Sequence, residues 1–182
     1  MSALSDSMLL RRFRDEGDET SFEELFTRHY DRVYGVLFRL TGTRQQAEDL
    51  AQEVFLKLYQ RPMRRGDNVA GWLYRVAMNS GYNALRGEKR RDKRERFVAP
   101  QEGSGATPEE SAIRGETREQ VRAALARLKP RDAKLLVGRE MGLSYKQLAE
   151  IVGVRETSVG TLLSRAQSAF VEAYESLERG QL

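Results

Sequence analysis

The 182-residue chain has no cysteine, a single histidine and only four prolines. Without cysteine there can be no disulfide and no Cys-based zinc or iron–sulfur site, and cysteine pairing gives no sign of secretion. The one histidine, His29, sits in a helical pattern. A lone histidine there reads as a packing or surface residue rather than a metal ligand or a general base. No run of apolar residues approaches the length needed to span a bilayer. The first residues also lack the basic stretch and apolar run of a secretory signal. These absences lead us to expect a soluble, cytoplasmic protein that makes no membrane contact of its own. The chain also lacks a P-loop, a metal-ligand cluster and a nucleophile–histidine arrangement, so we expect neither a cofactor nor an enzyme.

What is present is charge on a helical frame. Apolar residues make up 40% and charged residues 32% of the chain. The first is enough for real cores, and the second exceeds the usual share of about a quarter. The length suits one large domain or two small ones. The net charge is only +4, but the segment Arg86–Arg96 contains seven bases and three acids, so it alone accounts for a charge of that size. It is followed by 97–116, which is poor in apolar residues, rich in glycine and proline, and carries four glutamates against one arginine. That composition reads as a flexible acidic linker.

Four helical patterns precede the linker. Asp6 or Ser7 can cap a first helix over Met8–Glu16. Thr20 or Ser21 opens a second, with glutamates at capping-box spacing and an apolar stripe of Phe22, Leu25, Phe26, Tyr30, Val33, Leu37 and Leu40. Thr43 and Gln46 form a further capping-box pair ahead of AEDLAQEVFLKLY, residues 47–59. In that helix Ala47, Leu50, Ala51, Val54 and Leu58 recur at steps of three and four, so they predict a buried stripe. Asp49, Gln52 and Glu53 occupy the other side, with Leu56 among them. This reads either as a docking patch or as a solvated face with one exposed leucine, which is ordinary in itself. In the fourth pattern, from Val69 to Arg91, Leu73, Val76, Ala77, Ser80 and Ala84 predict an inward face. Arg75, Asn79, Tyr82 and Arg86 predict an outward one that mixes cations, an amide and an aromatic ring. Such a face beside a basic run suits single-stranded nucleic acid, because bases stack on rings while phosphates meet guanidinium and ammonium groups. A solvated helix end is the bland reading of the same charge run.

After the linker, Val121, Ala124, Leu125 and Leu128 give 117–128 an inward face, and Pro130 begins the next element. The segment LSYKQLAEIVGV, residues 143–154, continues into a second helix that starts near Glu156. Ser144 caps the first helix, and Gly153 supplies the turn between the two. Leu148, Val152, Val154, Val159 and Leu162 fall at the buried spacings of a helix-turn-helix. A plain helical hairpin with a glycine turn is the alternative.

Taken in order, FEELFTRHYDRVYGVLFRL (22–40), AEDLAQEVFLKLY (47–59), GWLYRVAMNSGYNALRGEKRR (71–91) and LSYKQLAEIVGV (143–154) resemble the bacterial RNA polymerase sigma factors of the sigma-70 family, extracytoplasmic-function (ECF) subfamily. The resemblance covers nearly the whole chain, which is too short for the extra regions of a housekeeping sigma factor. It implies an all-α fold of two small helical domains. A sigma region 2 bundle would occupy residues 1–96, and a sigma region 4 helix-turn-helix residues 117–182, with the flexible linker 97–116 between. It implies a promoter-specificity subunit. That subunit would bind core RNA polymerase, through the β′ coiled coil and the β flap, together with promoter DNA, and would have an anti-sigma factor as a partner.

Carried over residue by residue, the resemblance assigns Asp49, Gln52, Glu53 and Leu56 to the polymerase. It assigns Arg75, Asn79, Tyr82, Asn83, Arg86 and Arg90 to the −10 element, and leaves Trp72 as a core anchor or a base-stacking ring. Many relatives read GTVKSRLxRA in the recognition helix, but this chain reads TSVGTLLSRA at 157–166, with Gly160 and Leu162 where bases are usual. The −35 contacts are therefore expected at Lys146, Arg155, Thr157, Ser158, Thr161, Ser164 and Arg165. Lys129 and Arg131 would hold phosphates, and Gly160 would let the helix sit close to the DNA backbone. A free-standing helix-turn-helix regulator and a helical adaptor remain as rival readings.

Overall fold

The structure is a computed structural model describing residues 4–61, 63, 68–92 and 108–180, with side chains for all of these except 88–92 and 108–114. Among the described residues the chain forms eight α-helices and no strand. They are α1 (Asp6–Glu16), α2 (Glu19–Thr41), α3 (Arg44–Gln60), α4 (Val69–Asp92), α5 (Pro108–Leu125), α6 (Pro130–Glu140), α7 (Tyr145–Val152) and α8 (Glu156–Arg179). Helices α1–α4 form one bundle and α5–α8 another. Helix α5 begins at Pro108, inside the stretch read as linker, and residues 97–107 lie outside the described residues.

Helix starts depart from the expected caps for identifiable reasons. Ser5, not Asp6 or Ser7, caps α1, its hydroxyl accepting from the Met8 amide at 3.4 Å. Asp6 is thereby free to bridge to α2. Its carboxylate takes the His29 ring Nε2 at 2.7 Å and an Arg28 guanidinium N–H at 3.0 Å. The buried His29 is thus a packing residue that ties α1 to α2. At α2 the capping boxes of Thr20 and Ser21 do not form. Both hydroxyls donate backwards to Asp18, at 2.5 and 2.7 Å, and hold its carboxyl below the usual carboxylate range. The pairing of Thr43 with Gln46 also fails, and the Gln46 Oε1 is buried without a partner among the described residues.

The cores follow the apolar stripes with two adjustments. In α3 the buried set is Ala47, Ala51, Val54, Phe55 and Leu58, and Leu50 is half-buried. Phe55 turns inward because a run of half-buried rings on α2 meets it. Phe26 lies 4.7 Å from it between ring centroids, and Tyr30 lies 6.3 Å away.

In α4 the inward face differs from expectation. The buried residues are Val69, Gly71, Leu73, Tyr74, Ala77, Met78, Gly81, Tyr82 and Leu85, whereas Val76, Ser80 and Ala84 are only half-buried. This helix is covered on more than one side, by α2 and α3 and also by α6 and α7. A single face of period 3.6 cannot describe a helix packed between two layers.

In the C-terminal bundle the helix-turn-helix forms with the expected cap and turn, but only Leu148 and Val159 of the expected five are fully buried. Ser144 Oγ accepts from the Gln147 amide at 3.3 Å, and the Gln147 side chain accepts from the Ser144 amide at 2.9 Å. Gly153 follows at φ 71°, a left-handed backbone that a side chain would strain. Leu148, Val159 and Leu163 are buried, while Val152, Val154 and Leu162 are half-buried. One continuous apolar cluster runs through both bundles, joined at α4. Replacing Ser144 by Ala removes half of the reciprocal cap and should destabilise the protein by about 1 kcal/mol. The fall in urea midpoint checks this, and an unchanged midpoint would show that the cap adds nothing.

Candidate polymerase and promoter interfaces

The expected polymerase face is presented as a unit. Asp49, Gln52, Glu53 and Leu56 are all exposed, at helical steps that keep them on one side of α3. Leu56 is 52% exposed, among the most exposed large apolar side chains described. Its neighbours are two carboxylates and an amide, and Glu53 makes only a long, exposed contact of 3.9 Å with Lys57. An exposed pair of that kind contributes little to stability, so Glu53 adds little to the fold through it.

The expected −10 face is split by the fold. Arg75, Asn79, Asn83 and Arg86 are exposed along α4, and the side chain of Arg90 lies outside the described residues. Tyr82 is a correction: it is 2% exposed, and its hydroxyl donates at 2.5 Å to the carbonyl of Leu128, in the turn between α5 and α6. Burial there raises the phenol above its ordinary pKa. The C-terminal bundle also engages its neighbours on the same row. Arg75 donates at 3.0 Å to the carbonyl of Glu150, and Lys134 donates to the side-chain oxygen of Asn79. Trp72 is half-buried against the core, which fits the anchoring role.

The expected −35 residues stand on the outer side of the helix-turn-helix. Lys146, Arg155, Thr157, Thr161, Ser164 and Arg165 are exposed, and Ser158 is half-buried. Lys129 is exposed, and Arg131 pairs with Asp132 at 3.2 Å. Gly160 faces a neighbour within the chain. A Cβ there would meet the Tyr145 ring at 3.6 Å, an ordinary contact. Tyr145, which the spacing argument did not single out, is thus the neighbour of Gly160, with room for a Cβ between them.

A groove between the bundles was not legible in the sequence. Phe38 and Arg39 of α2 form one side, and Arg118, Val121, Arg122, Leu125, Leu136, Arg139 and Phe170 complete it from α5, α6 and α8. The Arg122 guanidinium lies against the C-terminal turn of α2 at Gly42, where a cation suits the helix dipole. Four guanidiniums stand over an apolar floor, with Glu140 the one acid among the lining residues. The residues come from four helices, so no local spacing could have signalled them. Among the described residues there is no cluster of His, Asp or Glu able to hold a metal, and no helix long and apolar enough to cross a membrane.

Comparison with known proteins bears on both bundles. The sigma-70 region 2 family matches residues 25–91, and the sigma-70 region 4 family matches residues 118–168. The RNA polymerase sigma-H factor of Pseudomonas aeruginosa is 31% identical over 187 residues, covering 96% of each chain. The ECF RNA polymerase sigma-E factor of Haemophilus influenzae is 33% identical over 175 residues, covering 89% of each. The chain belongs to the ECF sigma factors of the sigma-70 family. As such it is a promoter-recognition subunit of RNA polymerase that acts in transcription initiation, and it is not an enzyme. Two solved structures share the fold of this ECF sigma factor. One is CnrH in complex with the cytosolic domain of CnrY, at TM-score 0.64 and 16% identity, covering 94% of this chain and 97% of the other. The second is RpoE of Bartonella quintana in complex with the anti-sigma factor NepR, at TM-score 0.52 and 20% identity, covering 85% and 96%.

Proposed function

We propose that this ECF sigma factor joins core polymerase through the outer face of α3, reads the −10 element with α4 and reads the −35 element with α7 and α8. The observation that carries the reading is Leu56, half exposed at the centre of Asp49, Gln52 and Glu53. An apolar anchor ringed by acids suits a basic helical partner such as the β′ coiled coil, because the anchor supplies desolvated contact and the acids steer and orient it. In this reading residues 1–96 act as region 2 and 117–182 as region 4, which also meets the β flap, with 97–116 connecting them. Asn79, flanked by Arg75, Asn83, Arg86 and Arg90, contacts the exposed strand of the melted −10 element. Thr157, Ser158, Thr161 and Ser164 face base edges of the −35 duplex, and Lys146, Arg155 and Arg165 face its phosphates. The protein works in the cytoplasm, where its template and polymerase are.

The arginine-walled groove is the seat of an anti-sigma partner. Its apolar floor takes one face of an amphipathic helix, and Arg39, Arg118, Arg122 and Arg139 take acids along that helix. Two solved proteins of this fold are in complex with such a partner or with a cytosolic domain.

Reversing charge with Asp49→Lys and Glu53→Lys should weaken binding to core polymerase about tenfold or more. The melting temperature should stay unchanged, because both side chains are exposed. Normal co-purification with core enzyme would refute the role of that face. Asn79→Ala should leave core binding intact and reduce permanganate reactivity of the melted promoter; a footprint of full strength would remove Asn79 from the strand-reading set. Arg118→Glu with Arg122→Glu should abolish capture of an acidic amphipathic partner helix without affecting core-dependent run-off transcription. Undiminished capture would move the partner away from the groove.

A further inference from the structure

The cations of the groove between the bundles are held in place but not neutralised. Elsewhere Arg12, Arg14, Arg28, Arg44, Arg131 and Arg179 each pair with a carboxylate. Among the described residues Arg39, Arg118, Arg122 and Arg139 pair with none. Arg39 instead donates to the Gly35 carbonyl at 3.2 Å. Arg122 packs on Gly42 at the end of α2, and Arg139 lies over the Tyr145 ring, 5.8 Å from its centroid. A carbonyl, a helix end and a ring fix a guanidinium without removing its formal charge. Arg118 stands one turn before Arg122 on α5, so the two share a face. Cations ordered in advance lose less entropy when an anion arrives.

Beneath them the floor is hydrocarbon. Val121, Leu125 and Leu136 form it, with the rings of Phe38 and Phe170. Phe38 is still 39% exposed, although Tyr34 stacks on it at 5.8 Å between centroids. No side chain of this floor offers a donor or acceptor, so it cannot read the edge of a nucleobase or a sugar. It can hold an alkyl chain. The groove encloses about 1130 Å³, slightly more than the roughly 300–1,000 Å³ of ordinary small-molecule sites. We propose that it binds a single-chain amphiphile with a phosphate head, the tail on the floor and the head among the guanidiniums. A phosphate suits this wall better than a carboxylate does. It carries close to two charges at neutral pH and has three acceptor oxygens to share between guanidinium forks. Each tail methylene laid on the floor tightens binding about fourfold. The acidic helix proposed for this groove needs the same guanidiniums, so amphiphile and helix exclude each other, and the amphiphile releases the sigma factor from its partner. That consequence rests on the proposed seat of the partner; binding of the amphiphile does not.

The probe is 1-oleoyl-lysophosphatidate, kept below its micelle-forming concentration and titrated calorimetrically into the full chain. One molecule should bind per chain, saturably. Arg118→Glu with Arg122→Glu should weaken it about tenfold or more, and Arg39→Gln with Arg139→Gln, which removes charge without reversing it, should do the same. Circular dichroism of both variants checks that the helices persist. Absence of saturable binding, uptake of several molecules per chain, or undiminished binding by both folded variants would overturn the site. Glycerol 3-phosphate and oleate present the head and a carboxylate-headed tail separately, and each should bind at least about tenfold more weakly than the lysolipid. Equal binding of either would overturn the phosphate-headed amphiphile as the ligand. At ten times its dissociation constant, the lysolipid should also weaken binding of a labelled synthetic amphipathic helix bearing glutamates about tenfold. Undisturbed helix binding, alongside the expected calorimetry, would leave the amphiphile in the groove and move the partner helix elsewhere.

Discussion

Helix α4 is held from two sides, and the arrangement of the molecule follows from that. Leu73 and Ala77 are fully buried, and Gly81 sits so close to Leu40 of α2 that a Cβ would fall 2.8 Å from it. Met78 and Tyr82 reach the C-terminal bundle at Gly138 and Leu128. The helix therefore serves as the floor of one bundle and the seat of the other. The apolar interior becomes continuous across a chain that its composition divides in two.

That double packing shapes the functional surfaces. The face of α3 proposed for the polymerase lies outside it, so its acids and Leu56 are presented without competition from the fold. The face of α4 proposed for the promoter lies at its edge, so Arg75 and Asn79 find partners within the chain. The groove walled by Arg39, Arg118, Arg122 and Arg139 exists because the bundles meet. A partner helix seated there would touch both bundles at once.

Much of the fold was legible in the sequence because it depends on local rules. The helix-turn-helix was readable from Ser144, Gly153 and the spacing of Leu148 and Val159, since caps and a left-handed turn are decided within a few residues. The α3 face was readable because one side of that helix is plainly apolar and the other is not. The caps of α1 and α2 were misplaced for the opposite reason. Ser5, Asp6, Asp18, Thr20 and Ser21 all have side-chain oxygens at usable spacing. Which one caps depends on distant partners, such as the His29 ring that claims Asp6.

The residues by themselves determined the helices, their turns, the two-bundle division and the family, all carried by order and spacing along the chain. Only the tertiary structure decided that Tyr82 points inward, that Asn79 and Arg75 are bonded to the second bundle, and that four arginines from three helices converge on one groove. Hydrophobic periodicity reports that a side chain is covered and says nothing of what covers it. A polar residue on an outward row is exposed only until another part of the same chain is placed over it, and that placement comes from the summed shape of both bundles rather than from any stretch of sequence.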